Sequence, residues 1–135
     1  MTSSPEQILR YAKTIAVVGA SRDPNKPAAT VPQALQRRGF RIIPVNPFAD
    51  MLFGERAYKL LSDIPDRVDV VDVFRPSADA PDIVRQAIAI GARAVWLQQG
   101  IVSADARRIA EDAGVDYVED HCMAVEAALH RIDKR

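Results

Sequence analysis

Glycine, hydroxyl and cationic residues gather in one stretch of this chain, Gly19-Ala20-Ser21-Arg22-Asp23-Pro24-Asn25-Lys26-Pro27. A glycine turn that runs into a helix start presents backbone N–H groups and the positive end of a helix dipole, and both attract a phosphate. Arg22 and Lys26 add two positive side chains to the same loop. The chemistry on offer is anion recognition: a nucleotide-phosphate cradle. From spacing alone, solvated loop charge is the alternative reading of the two cations.

Bond-making chemistry finds less support. His121 stands between Asp120 and Cys122, which invites a Cys–His pair. Adjacent residues rarely aim at one another, however, and nucleophile–base pairs are recognised in space. Glu119, Asp120, His121 and Cys122 are consecutive and lack the spacing of metal ligands. His130 is expected on the exposed side of a final helix. Asp69 and Asp72, three apart in a strand, face opposite sides and make a poor acid/base pair. No catalytic residue and no metal site are assigned.

The elements that must position the cradle follow from periodicity. Ile15-Ala16-Val17-Val18 is an apolar, β-branched run bounded by Gly19, as in a strand buried on both faces of a parallel sheet. Before it, Ser4-Pro5-Glu6-Gln7 reads as a capped helix start. After it comes a helix over 27–38, closed by Gly39, and a second strand over 41–45. Pro44 cannot donate to a ladder, which confines it to an edge or a strand end. Residues 48–61 form a less regular connection with a short helix over 58–61. Strands over 68–74, 94–98 and 115–118 alternate with helices beginning at Ser77 or Asp79, at Ser103 and at Ala124. The alternation predicts a single Rossmann-like domain: a doubly wound, mostly parallel five-stranded sheet with helices on both faces.

Composition narrows the partners. With 135 residues, one core of ordinary size is expected. Lys+Arg and Asp+Glu are equal at 18 each, and no basic run is present, which argues against nucleic acid and anionic membrane surfaces. One cysteine excludes an internal disulfide framework and fits a reducing compartment. No apolar stretch reaches the ~18 residues of a membrane span, and the N-terminus lacks a signal-peptide pattern. A cytoplasmic location is expected.

Ligands of such a sheet bind outside the carboxyl ends of its strands. Those ends here are Gly19-Ala20-Ser21, Asn46-Pro47, Phe74-Arg75-Pro76, Gln98-Gln99-Gly100 and Glu119-Asp120-His121-Cys122. Turn chemistry alone accounts for part of this pattern. The dinucleotide fingerprint G-x-G-x-x-G is absent, since Ser21 stands at its second glycine. The acid that would hold a ribose diol at the end of the second strand is replaced by Asn46. Ordinary NAD binding is therefore disfavoured, and the two loop cations point to a ligand richer in phosphate. Trp96 reads as core; Phe74 is open between core and an adenine-stacking role.

The loop G-A-S-R-D-P-N-K-P at 19–27 resembles that of the small single-domain bacterial coenzyme A-binding proteins. So do P-V-N-P at 44–47, V-D-V-F-R around 71–75 and A-V-W-L-Q-Q-G at 94–100. These proteins are relatives of the CoA-binding domain of the succinyl-CoA synthetase α-subunit. The resemblance spans residues 8–132 and implies coenzyme A laid across the carboxyl edge of the sheet. It implies phosphate contacts from Gly19, Ala20, Ser21 and Lys26, with Arg22 and Pro27 in the same cradle. Asn46 and Pro47 would flank the nucleotide, Phe74 and Arg75 would line the cleft, and Gln98 and Gly100 would meet the pantetheine. His121 departs from the arginine usual before the cysteine, which weakens any phosphate contact there. Cys122 would lie near the CoA thiol, where oxidation would give a mixed disulfide detectable by mass spectrometry.

In the synthetases the phosphorylated histidine lies in another domain. The expectation is thus a non-catalytic CoA-binding protein, acting as carrier, sensor or regulator on CoA or an acyl-CoA. The alternatives are an acyl-CoA-handling subunit with a separate catalytic partner, or an NAD(P)-responsive module. A homo-oligomer or a protein partner is left open.

Overall fold

The structure, a computed structural model, describes residues 2–135. The first helix, α1 (Pro5–Tyr11), begins as its sequence predicts: the Ser4 hydroxyl accepts from the Gln7 N–H while the Gln7 side chain accepts from the Ser4 N–H. The chain continues through β1 (Thr14–Val18), α2 (Pro27–Arg37) and β2 (Arg41–Val45). It then makes a small hairpin, β3 (Met51–Leu52) and β4 (Glu55–Arg56), before β5 (Val70–Val73), α3 (Ala80–Ala89) and β6 (Ala94–Leu97). Helix α4 (Ala104–Asp112), β7 (Asp116–Val118) and α5 (Met123–Leu129) complete it.

The five long-range strands form one sheet in the order β2-β1-β5-β6-β7, with every pairing parallel. Side chains alternate across it, and each face has its own core. Ile15, Val17, Val70 and Trp96 pack with α1, α2 and α5 through Ile8, Leu9, Leu35 and Met123. Ala16, Val71, Val95 and Leu97 pack with α3 and α4 through Val84, Ala87, Ala106 and Ala110. That is the expected doubly wound architecture. From β1 the chain winds outward to β2, then crosses to β5 and winds the other way, so the switch point lies between β1 and β5.

Pro44 sits on the edge strand, opposite Val17. Its carbonyl points outward and accepts from the Tyr58 N–H at 3.0 Å, so the missing N–H also faces away from the ladder.

The connection over 48–61 differs from its expectation. Residues 58–61 are not a helix: Tyr58 bridges in parallel to Val45, and its carbonyl accepts from the Asn46 N–H at 2.9 Å. The helical turn is a 3₁₀ segment at Leu61–Asp63. Before it, the β3–β4 hairpin turns on Phe53 (φ 57°) and Gly54 (φ 76°), both left-handed. Asn-Gly is the usual signal for such a turn, and Phe at its first position hides it.

Candidate functional site

The loop after β1 is built by its own side chains. Gly19 (φ +86°) turns the strand beneath β5: an added Cβ would stand 3.2 Å from Arg75 Cδ and from the Phe74 carbonyl. Ser21 Oγ accepts from the Asp23 N–H and Asp23 Oδ1 from the Asn25 N–H, each at 3.0 Å. Two successive side-chain turns thus order the loop without using Arg22 or Lys26. Lys26 is the N-cap of α2 with no side-chain cap, Pro27 is the first helical residue, and the first turn contains no acid. Among the described residues neither Arg22 nor Lys26 makes an ion pair. The helix's positive end and two unpaired loop cations therefore stand beside each other, with Asp23 as the one carboxylate of the loop.

Asn46 braces this loop from the end of β2. Its Nδ2 donates to the Ala20 carbonyl at 2.8 Å, and its Oδ1 accepts from Phe48 N (2.7 Å) and Ala49 N (3.1 Å). The position needs a donor and an acceptor at once. An acid could not donate to Ala20, which accounts for an amide where a dinucleotide site would place a carboxylate.

At the switch point these parts enclose a cleft of about 1010 Å³, the size of cofactor sites. Gly19, Ala20, Ser21, Arg22, Lys26, Asn46, Pro47, Phe74 and Arg75 all line it. Phe74 serves two purposes, packing partly against the core and forming cleft wall. Arg75 is engaged with Asp79 at 3.0 Å.

The remaining candidates lie elsewhere. Pro27 starts α2 beside the cleft without lining it. Gln98 is buried, donating to Asp72 Oδ1 at 2.6 Å and accepting from the Met123 N–H at 3.4 Å. Gly100 (φ +87°) donates its N–H to Asp120 Oδ1 at 2.7 Å. Cys122 is half-buried at the N-cap of α5. These last three belong to the β6 and β7 ends and are not gathered into the cleft.

Conversely, the cleft recruits residues that periodicity did not single out. Phe48, 82% exposed, stands at the rim with Lys59 and Leu60, and Asp82, Ile83 and Gln86 of α3 form the far wall. Phe48 follows directly on Asn46-Pro47 and could have been found as a large apolar residue in a turn. The α3 residues carry no local signal, because only the handedness of the β5–α3 crossover brings that helix over the switch point.

Beneath the sheet edge, Asp72 is fully buried between β1 and β6, opposite Val17 and Trp96. Burial pushes its carboxyl up to about 7; the Gln98 amide and the Val73 backbone oppose that rise without cancelling it. Its Oδ2 has no hydrogen-bond partner. Asp69, on the other hand, accepts from the N–H groups of Lys13 and Thr14 at 2.9 Å each. The two aspartates have separate structural duties. Trp96 is core, its Nε1 donating to the His121 carbonyl at 2.8 Å.

Known proteins resemble this chain in sequence and in fold. Protein YneT of Bacillus subtilis is 36% identical over 124 residues, covering 92% of each chain. A solved structure from Thermus thermophilus superposes with a TM-score of 0.89 at 39% identity, covering 95% of this chain and 99% of that one. The ADP-forming acetate–CoA ligase II of Archaeoglobus fulgidus is 32% identical over 105 residues, which make up 76% of this chain but 16% of the ligase. Residues 13–128 match the profile described as a CoA binding domain. With a profile matched over most of its length and these relatives beside it, the chain belongs to the CoA-binding domain family.

Proposed function

We propose that this protein binds coenzyme A or an acyl-CoA in the switch-point cleft, without chemistry of its own, as a carrier, sensor or regulator. The observation that carries the reading is the corner made by the start of α2 with Arg22 and Lys26, two cations that line the cleft and make no ion pair among the described residues. In this reading, loop amides and the helix terminus meet the pyrophosphate, and the two cations serve the more exposed phosphates. Asn46 and Pro47 flank the nucleotide, with Phe48 and Leu60 as apolar rim and Phe74 as wall. The pantetheine would run on toward the β6 end, where Gly100 lies and where Gln98 is buried on Asp72. The absence of an acid at the end of β2 disfavours a free ribose diol, and hence NAD.

Thermal unfolding with millimolar CoA, dephospho-CoA, NAD and ATP in parallel tests this. A ligand at about 100 times its Kd stabilises by roughly 2.7 kcal/mol, which moves Tm by several degrees in a protein of this size. A shift with CoA that shrinks with dephospho-CoA is expected. A shift with NAD and none with CoA would refute the reading. The segment shared with the acetate–CoA ligase supports a second reading, a subunit handling acyl-CoA beside a catalytic partner. Co-purification of such a partner together with acyl transfer would favour it.

A further inference from the structure

Both histidines meet on one carboxylate. His130, which caps the end of α5, is not exposed as its sequence position suggested; its side chain is 27% accessible. Its Nδ1 lies 3.2 Å from Glu6 Oε1 of α1, and its Nε2 lies 3.2 Å from Glu126 Oε2 of α5. The other oxygen of Glu126, Oε1, lies 3.8 Å from His121 Nε2. His121 Nδ1 in turn is 2.7 Å from the Glu119 carbonyl. All four ring nitrogens of the two imidazoles therefore face oxygens that can only accept.

This arrangement has a proton count built in. A carbonyl cannot donate, so His121 Nδ1 must carry hydrogen, and a neutral His121 turns a lone pair at Nε2 toward the Glu126 carboxylate. A neutral His130 has one hydrogen for two carboxylates. Only the imidazolium forms supply a donor to every acceptor. Imidazole is the side chain whose charge ordinarily changes between about pH 5 and 8.

We propose that His121, Glu126 and His130 form a proton-operated latch that draws α1 and the loop over 119–122 onto α5. Glu126, whose side chain is 15% accessible, is the shared anchor. Helix α1 is distant from α5 in sequence, whereas the loop over 119–122 leads directly into it. The latch is independent of what the cleft binds.

Other charges face this corner and set its background. On α1, Arg10 lies 3.5 Å from Glu6 Oε2 and donates to the His130 carbonyl at 3.0 Å, so it competes for Glu6 in every protonation state. Lys134 donates to the Arg10 carbonyl, and Arg38, after α2, to the Ile132 carbonyl. Asp133 is held by Arg135, and Arg131 makes no ion pair among the described residues. In the loop, Glu119 is taken by Arg107 and Tyr117, and Asp120 by the Gly100 N–H. Beneath α5, Asp72 reaches Met123 through Gln98. It also titrates near neutrality and must be separated from the latch.

Hydrogen exchange of the amides of α1, residues 119–122 and α5 at pH 8 and pH 6, corrected for intrinsic exchange, provides the test. Protection in these segments is expected to rise roughly 2- to 5-fold at pH 6, the size of a part-exposed ion pair. The rise should persist in Asp72→Asn and vanish in the His121→Gln/His130→Gln variant and in Glu126→Gln. An unchanged rise in the histidine variant, or none in the natural protein, would overturn the proposal. Nitrogen-15 shifts of the natural protein at pH 8 give a check that needs no variant: His121 should be the Nδ1–H tautomer. The Nε2–H tautomer would equally overturn it.

Discussion

Replacing Asp72 by asparagine should make the protein more stable in mild alkali and leave its stability in acid about unchanged. Burial holds the Asp72 carboxyl at about 7 in the folded chain, against an ordinary value of 3.8. A group raised on folding contributes stability that is fully present below the unfolded value and is lost as pH rises through the folded value. Between about pH 4 and pH 7, ionisation in the unfolded chain therefore pulls against the native state. Roughly three pH units at about 1.4 kcal/mol each set an upper bound near 4 kcal/mol for the penalty at pH 8. Asparagine removes the charge and keeps an oxygen for the Gln98 amide, but its Nδ2 would occupy the position where Oδ2 has no partner. An unpaired buried donor costs about 1–3 kcal/mol, and the protonated carboxyl, whose hydroxyl lies unpaired at that same position, already carries a cost of this kind. The expected balance is a variant about as stable as the natural protein below pH 4 and more stable by up to about 4 kcal/mol at pH 8. Urea unfolding at one-unit steps from pH 4 to pH 8 reads the difference directly. Background carboxylates cancel in the comparison of the two proteins. Two curves that run parallel from pH 4 to pH 8 would show that Asp72 is ionised or hydrated in the folded chain and would refute the reasoning.

Three further outcomes concern the cleft. Lys26→Ala should weaken CoA binding by about 1–3 kcal/mol if its ammonium meets a phosphate; unchanged affinity by calorimetry would leave Lys26 a solvated charge. Ser21→Tyr should block CoA while leaving the thermal unfolding of the free protein in place, and a variant that still binds would mean that this loop is not the cradle. Asn46→Asp sets a carboxylate oxygen against the Ala20 carbonyl now held at 2.8 Å and should cost about 1–3 kcal/mol of stability in urea. CoA affinity should fall with it, and a variant as stable as the natural protein would remove Asn46 as the brace.

The sequence by itself determined the elements and the place where they would be interrupted. Ile15–Val18 reads as a doubly buried strand because both of its faces meet helices, and Gly19 ends it because the backbone there is left-handed. Ser4 and Ser103 read as caps because a hydroxyl at that offset satisfies an N–H of the first turn, as both do. The missing donor of Pro44 confined it to an edge or a strand end, and it lies on the edge strand. All of these are local constraints, written in neighbours a few residues apart.

What only the tertiary structure decided depends on groups distant in sequence. The cleft's far wall comes from α3, and its rim from the segment that pairs with β2 outside the main ladder. Gln98, at a strand end, looked available to a ligand, yet it is spent on Asp72, twenty-six residues away across neighbouring strands. The hairpin over 51–56 escaped because Phe53 adopts a conformation its residue type rarely chooses. His121 and His130 share Glu126, and Glu6 completes the cluster only because α1 and α5 pack side by side. Contacts between separate elements are properties of assembled surfaces, and no spacing along the chain encodes them.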